Sequence, residues 1–222
     1  MEKSFDEYWE KVHKEREWGA YPAEYVIRFV ARNYYNVADR SQVKILDFGC
    51  GAGAHTWYLT REGFDTYAFD GSCSAIERVK KKLEKEGGYM ADLRVRDALE
   101  LDYPENFFDA VIDNVCIFNN MIKNVRTMYG EVYMMLKPGG KILSNVFGKR
   151  TDGYGTGIEL EPGTYSKLES GVLKGRTNIH FFDKNELETV LRDCGFRNII
   201  VDEVLYTDNG MHVEQLIAKA VK

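Results

Sequence analysis

The stretch VKILDFGCGAG, residues 43–53, decides the fold of this 222-residue chain. Its first half is a short apolar run of the kind that forms a buried strand, and its second half has glycine at alternate positions. Glycine lets the backbone turn sharply and approach a ligand closely, and the free N–H groups of a following helix attract a negative group. This stretch therefore predicts a strand, a ligand-binding turn and a helix, in that order.

Beyond this stretch, predicted strands and helices alternate as they do in doubly wound α/β domains. We predict strands at 64–69, 92–96, 108–113 and 141–147, and helices from about residue 53, at 74–86 and at 125–136. A last helix at 185–194 precedes strands at 196–206 and 211–220, which are joined through a turn that contains Gly210. The expected fold is Rossmann-like, with a mostly parallel seven-stranded sheet that ends in an antiparallel C-terminal hairpin.

Two local motifs refine these bounds. Ser74 and Glu77 have the spacing of a capping box, which predicts that a helix starts just after Asp70. Gly139 and Gly140 follow a proline and predict the turn before the fifth strand.

The length of the chain predicts one domain, residues 1–222, with four segments. We predict an N-terminal helical cap (1–40), a cofactor-binding core (43–147), a glycine-rich insertion or lid (148–180) and a final helix with its hairpin (183–222). The insertion carries seven glycines and little periodicity. It is therefore expected to be irregular, and functional or mobile.

Composition limits the classes of partner. The formal net charge is −5, which disfavours a polyanion such as nucleic acid and favours a small-molecule partner. The four cysteines form no CxxC pair, which argues against a metal site and for a reducing cytoplasm. No apolar run reaches the roughly 18 residues of a membrane helix, so no membrane partner is expected. The sequence leaves the oligomeric state open.

Four motifs in order make the chain resemble the class I S-adenosylmethionine-dependent methyltransferases. They are ILDFGCGAG (45–53), the acid at the end of the second strand, the segment RDA…YPENFFD (96–109) and LKPGG (136–140). The resemblance implies S-adenosylmethionine as cofactor and S-adenosylhomocysteine as product. It also implies the residues that hold the cofactor: for its methionine part, Asp47, Gly49, Cys50, Gly51 and Gly53; for the ribose, Asp70 with Gly71 and Ser72; for the adenine, Asp97 with Ala98 and Leu99.

Further candidates surround this core, and each has a structural alternative. His55 could contact the cofactor carboxylate or be an exposed helix residue, and Asn114 with Val115 could contact cofactor or acceptor or cap a turn. His180 could act as a general base or only pack. Trp18 and Tyr21, together with Trp9 and Tyr154, could form an aromatic lid over the site. Trp9 and Trp18 could equally be core residues of the N-terminal helix, and this alternative is favoured for Trp9.

The predicted function is methyl transfer to an oxygen or nitrogen of a small molecule, with His180 and Asn114 as catalytic candidates. Two alternatives remain. A non-catalytic protein could bind and sense S-adenosylmethionine through the same acids. An NAD(P)-dependent oxidoreductase would also use a glycine-rich turn and an acid such as Asp70, but Asp97, the PGG turn and the terminal hairpin argue against it.

Overall fold

The computed structural model describes residues 3–16 and 19–222. The helices are α1 (Glu7–Glu15), α2 (Glu24–Tyr34), α3 (Ala54–Arg61), α4 (Cys73–Lys85), α5 (Ile122–Met135) and α6 (Lys184–Asp193). The strands are β1 (Lys44–Phe48), β2 (Asp65–Asp70), β3 (Asp92–Val95), β4 (Phe108–Asn114), β5 (Leu136–Phe147), β6 (Ile158–Glu161), β7 (Thr164–Ser166), β8 (Ile179–His180), β9 (Arg197–Asp208) and β10 (Met211–Val221). None of the helices in these ranges is long and apolar enough to span a membrane.

Over the described residues, a seven-stranded sheet has the order β3-β2-β1-β4-β5-β10-β9. Strand β2 pairs in parallel with β1 and β3, whereas β10 runs antiparallel to both β5 and β9. Strand β1 is buried along almost its whole length, as expected for a parallel strand with helices on both faces of the sheet. The predicted fold, including the antiparallel ending, is confirmed.

The chain forms two compact units, one of residues 1–112 and 135–140 and one of residues 113–134 and 141–222. The core of the first unit includes Phe48 and Phe69, whose ring centroids are 4.7 Å apart in an edge-to-face contact. In the second unit, the buried Tyr129 hydroxyl lies 2.8 Å from Ser144 Oγ. The prediction of a single domain stays a prediction.

One predicted boundary and one predicted helix cap were wrong. Strand β5 begins at Leu136, so Gly139 and Gly140 lie within it and not before it. Helix α4 begins close to the predicted place, but its N-cap is Ser72, whose side chain accepts a hydrogen bond from Ala75 N at 3.0 Å. Ser74 lies within the helix, and its hydroxyl donates to a carboxylate of α1 that is remote in sequence.

The insertion at 148–180 is more regular than predicted. It contains an antiparallel three-stranded sheet in the order β6-β7-β8. Strands of two to four residues are too short to show the alternation of polar and apolar residues that identifies a strand in sequence. Outside these three short strands the insertion consists mostly of turns and irregular segments, and its role as a lid stays a prediction.

The turn before α3 contains Gly53, and Gly63, which follows the same helix, offers a matched position for comparison. Both have a left-handed backbone, with φ of 78° and 88°. A Cβ on Gly53 would lie 2.7 Å from a Val79 methyl group, whereas a Cβ on Gly63 would meet no heavy atom of the described residues within 4 Å.

We expect Gly53→Ala to destabilise the protein more than Gly63→Ala. Each substitution imposes the left-handed strain of about 1–2 kcal/mol, and Gly53→Ala adds overpacking against Val79 of about 1–3 kcal/mol. Urea unfolding of the two variants measures the difference. Equal losses would contradict the close approach of α4 to this turn.

Candidate functional site

The pairing of β1 with β2 brings the glycine loop to the acid at the end of β2. Phe48 lies opposite Phe69 in the register, so residues 49–53 leave the sheet beside Asp70. Cys50 N donates to Phe69 O at 2.9 Å, and Gly51 N donates to Asp70 Oδ2 at 2.9 Å. The predicted loop and the predicted ribose acid therefore share one small region of the first unit.

Asp70 is 8% exposed and holds two turns at once. Its Oδ2 accepts from Gly51 N, and its Oδ1 accepts from Ser72 N at 2.9 Å. Burial raises the pKa of Asp70, and the hydrogen bonds from Ser72 and Gly51 oppose that rise. A carboxylate offers about four acceptor positions, so Asp70 retains the capacity to accept hydroxyl donors from a ligand.

Asp47 is the most deeply buried acid of the loop region, at 1% exposure. Thr56 Oγ1, in the first turn of α3, donates to Asp47 Oδ2 at 2.6 Å. Burial raises the pKa of Asp47, and the hydrogen bonds from Thr56 oppose that rise. The loop is thus anchored to α3 through a carboxylate that is costly to ionise without a cationic partner.

His55 is buried, so the alternative of an exposed helix residue was wrong. Its Nε2 accepts a hydrogen bond from Ala23 N at 3.2 Å, which places the ring proton on Nδ1 and makes the imidazole neutral. Burial lowers the pKa of His55, in agreement with a neutral ring. The contact of His55 with a cofactor carboxylate stays a prediction.

Asp97 follows β3 and lies in the predicted turn with the buried Ala98 and with Leu99. Its Oδ1 accepts from Leu99 N at 2.9 Å and from Ser4 Oγ at 2.6 Å. Its Oδ2 accepts from Ser4 N at 2.8 Å and from Phe5 N at 2.9 Å. These hydrogen bonds lower the pKa of Asp97 although burial acts in the opposite direction.

The predicted aromatic lid stays a prediction. Trp18 lies outside the described residues. Tyr21 is 80% exposed, and its ring contacts Trp57 edge to face with centroids 6.2 Å apart. Trp9 is half-buried and stacks on His13. Tyr154, in the second unit, contacts the rings of Tyr165 and Phe181.

In the second unit, the loop after β4 is under backbone strain. Asp113 is fully buried and accepts from Cys116 N at 3.0 Å and Ile117 N at 3.1 Å, which closes the loop tightly. Val115 has φ of 59°, a left-handed conformation that β-branched residues rarely adopt. Asn114 Oδ1 accepts from Asn145 Nδ2 at 3.3 Å. Strain of this kind clusters at functional sites, which favours the prediction for Asn114 and Val115.

His180, on β8, is 1% exposed and has a partner at each ring nitrogen. Nδ1 lies 2.7 Å from Thr164 Oγ1, and Nε2 lies 3.1 Å from Glu186 Oε1. Burial acts to raise the pKa of Glu186, but hydrogen bonds from His180 and Lys149 lower it overall. A base role for His180 requires a proton path through Thr164 or Glu186, and that role stays a prediction.

Several contacts of the site were missing from the sequence-based predictions. The partners of Asp97 and Asp47 are Ser4, Phe5 and Thr56. Ser4 and Asp97 are 93 residues apart, so no local pattern could connect them. Within the ranges 3–16 and 19–222, no group of three or more His, Cys, Asp or Glu side chains is arranged to hold a metal ion.

Comparison with known proteins agrees with this geometry. Residues 45–140 match the family model of a methyltransferase domain. Phosphoethanolamine N-methyltransferase 2 of Caenorhabditis elegans is 27% identical over 77% of this chain and 38% of its own length. Phosphoethanolamine N-methyltransferase 3 of Arabidopsis thaliana is 28% identical over 77% of this chain and 31% of its own length. The chain thus spans about a third of the curated relatives that it matches.

Solved structures share the fold. An S-adenosylmethionine-dependent methyltransferase from Methanosarcina mazei superposes with a TM-score of 0.70 at 23% identity, covering 91% of this chain and 98% of that one. Phosphoethanolamine N-methyltransferase 2 of Haemonchus contortus, in complex with phosphomonomethylethanolamine and S-adenosylhomocysteine, has a TM-score of 0.66 at 20% identity. It covers 89% of this chain and 52% of its own.

The match of residues 45–140 to a methyltransferase-domain model and the shared fold agree with the resemblance to class I S-adenosylmethionine-dependent methyltransferases that was drawn from the sequence. A second structure of the Haemonchus contortus enzyme is in complex with S-adenosyl-L-methionine, which is the cofactor that the resemblance implies.

We expect Asp47→Asn to stabilise the cofactor-free protein at neutral pH. Because folding raises the pKa of Asp47, its contribution to stability is present at low pH and is lost as the pH rises through the folded-state pKa. The asparagine carries no charge at any pH, and each pKa unit removed corresponds to about 1.4 kcal/mol.

Urea unfolding from about pH 8 to about pH 4 measures this effect. The advantage of the variant should shrink as the pH falls. Thr56→Val serves as the control, because it removes a donor to the same carboxylate and should destabilise the protein. An Asp47→Asn difference that is independent of pH would contradict the assignment of a buried charge.

Proposed function

We propose that this protein transfers a methyl group from S-adenosylmethionine to a nitrogen or oxygen of a small molecule by direct displacement and releases S-adenosylhomocysteine. One observation carries the proposal. The Asp70 carboxylate binds both Gly51 N and Ser72 N, which joins the glycine loop to the turn after β2. Both turns lie within the segment that matches the methyltransferase-domain model.

The residues of the first unit fit such a cofactor. Glycines 49, 51 and 53 have φ values of 66°, 51° and 78°, which other residues rarely adopt, and their loop leads directly into the N-terminus of α3. The acids at and after the ends of β1, β2 and β3 can accept hydrogen bonds from ammonium, hydroxyl and amino donors. Asp47 would face the methionine part, Asp70 the ribose and Asp97 the adenine.

The bound cofactor would supply an activated methyl group, so the protein mainly has to align the acceptor with it. We propose that Asn114 and Val115 take part in this alignment, since Asp113 and the left-handed Val115 hold their loop in a single conformation. A base is needed only when the attacking atom carries a proton. His180 is the candidate for that step, with Glu186 orienting its ring.

We propose an amine as the first class of acceptor to test. The curated relatives named above are phosphoethanolamine N-methyltransferases, and a net charge of −5 disfavours a nucleic-acid acceptor. A protein that only senses S-adenosylmethionine would use the same acids, so binding alone does not separate the two functions. Turnover separates them.

The test measures S-adenosylhomocysteine release with phosphoethanolamine, ethanolamine and a panel of small hydroxyl acceptors. We expect release that depends on one acceptor class and is lost in Asp70→Ala, which removes the hydrogen bonds to both turns. Comparison of phosphoethanolamine with ethanolamine shows whether a phosphate is recognised. Binding of S-adenosylmethionine without turnover on the whole panel would favour the sensor.

We expect His180→Ala to lower kcat by about 100-fold or more if His180 accepts the proton of the acceptor, with little change in the affinity for S-adenosylhomocysteine. His180→Gln is the control, because it preserves hydrogen bonding to Thr164 and Glu186 but cannot act as a base. Steady-state kinetics and calorimetry provide the two readouts. If His180→Gln retains full turnover, His180 has a structural role.

A further inference from the structure

The N-terminal segment lies on the surface that the proposed function assigns to the adenosine half of the cofactor. We call residues 4–16 the strap; they comprise Ser4 to Asp6, helix α1 and Arg16. The strap touches each of the three sequence segments that form this surface. The contacts involve Asp97, the turn after Asp70, and the glycine loop.

At Asp97, three donors of the strap occupy acceptor positions of the carboxylate. Among the described residues, Ser4 N, Ser4 Oγ and Phe5 N donate to its two oxygens, and Leu99 N donates the fourth hydrogen bond. A carboxylate has about four acceptor positions. The amino group of an adenine therefore finds no vacant acceptor on Asp97 while Ser4 and Phe5 are bound.

At the turn after Asp70, the ring of Phe5 packs directly on Gly71. Ring carbons of Phe5 occupy the position in which a Cβ on residue 71 would lie. The ring covers the backbone between the ribose acid and the N-cap of α4.

Two contacts of α1 hold the strap in this position. The Glu10 carboxylate accepts from the hydroxyls of Ser72 and Ser74, and hydrogen bonds from these serines lower the pKa of Glu10. The buried His13 lies over the glycine loop, with its Cε1 3.3 Å from the place of a Cβ on Gly51. The strap therefore contacts all three segments of the surface that is assigned to the adenosine half of the cofactor.

We propose that the strap is an internal competitor of the cofactor: Ser4 and Phe5 occupy the adenine-binding acid, and adenosine binding displaces them. The inference rests on the proposed function. Two ligands that need the same acceptors exclude each other, and the observed affinity is lowered by the fraction of molecules with the strap in place. Weakening the strap should therefore tighten cofactor binding.

The test compares Phe5→Ala and Glu10→Gln with the wild type. The control is Glu7→Gln, which changes an exposed side chain of the same helix. We expect both strap variants to bind S-adenosylhomocysteine about three- to tenfold more tightly than the wild type by calorimetry, and the control to bind as the wild type does. Unchanged or weaker binding by both strap variants would overturn the inference.

Hydrogen–deuterium exchange of the wild-type protein gives a second readout that needs no substitution. The amides of Ser4 and Phe5 are protected by Asp97. We expect S-adenosylhomocysteine to accelerate their exchange. Slower exchange would show that the strap closes over the bound ligand and would overturn the competition.

If neither the wild type nor the strap variants bind S-adenosylhomocysteine, the proposed function fails together with the inference, whereas binding without tightening refutes the inference alone.

Discussion

The hydrogen bonds of Asp70 are the constraint on which the candidate site depends. The acid ends β2, and through Gly51 N and Ser72 N it fixes the turn that enters α3 and the turn that enters α4. Parallel pairing of β1 with β2 makes this possible, because it brings the ends of both strands to one edge of the sheet. A buried carboxylate is costly unless donors surround it. The same donors that satisfy Asp70 also shape the surface on which a ligand can bind.

In the second unit, a buried carboxylate again accepts the hydrogen bonds that hold a loop in place. Asp113 is the penultimate residue of β4 and is fully buried, and two backbone N–H groups and the Ser144 hydroxyl donate hydrogen bonds to it. The loop that it closes holds Val115 in a left-handed conformation, whose cost of about 1–3 kcal/mol must be offset by such contacts. In both units, a buried carboxylate at or beside a strand end accepts backbone N–H groups and so holds the following loop in place.

The strands of the main sheet and the acids near their ends could be predicted from the sequence, because each is marked by a few neighbouring residues. An apolar run before GCGAG and an acid after the next strand each occupy a few consecutive residues, and the parallel topology then brings them together. The start of β5, the N-cap of α4 and the small sheet of the insertion could not be predicted in this way. Ser72 caps α4 by accepting from Ala75 N, whereas Ser74 lies within the helix and donates to Glu10, 64 residues away. The contacts of the strap with Asp97 and Gly71 likewise depend on tertiary structure alone.

The most direct measurement of the central claim is calorimetric titration of the purified protein with S-adenosylmethionine, S-adenosylhomocysteine and NADH, side by side. If Asp47, Asp70 and Asp97 form a cradle for S-adenosylmethionine, the first two ligands bind and NADH does not. Binding of NADH without binding of the other two would contradict the account, and it would favour an oxidoreductase that uses the glycine loop and Asp70.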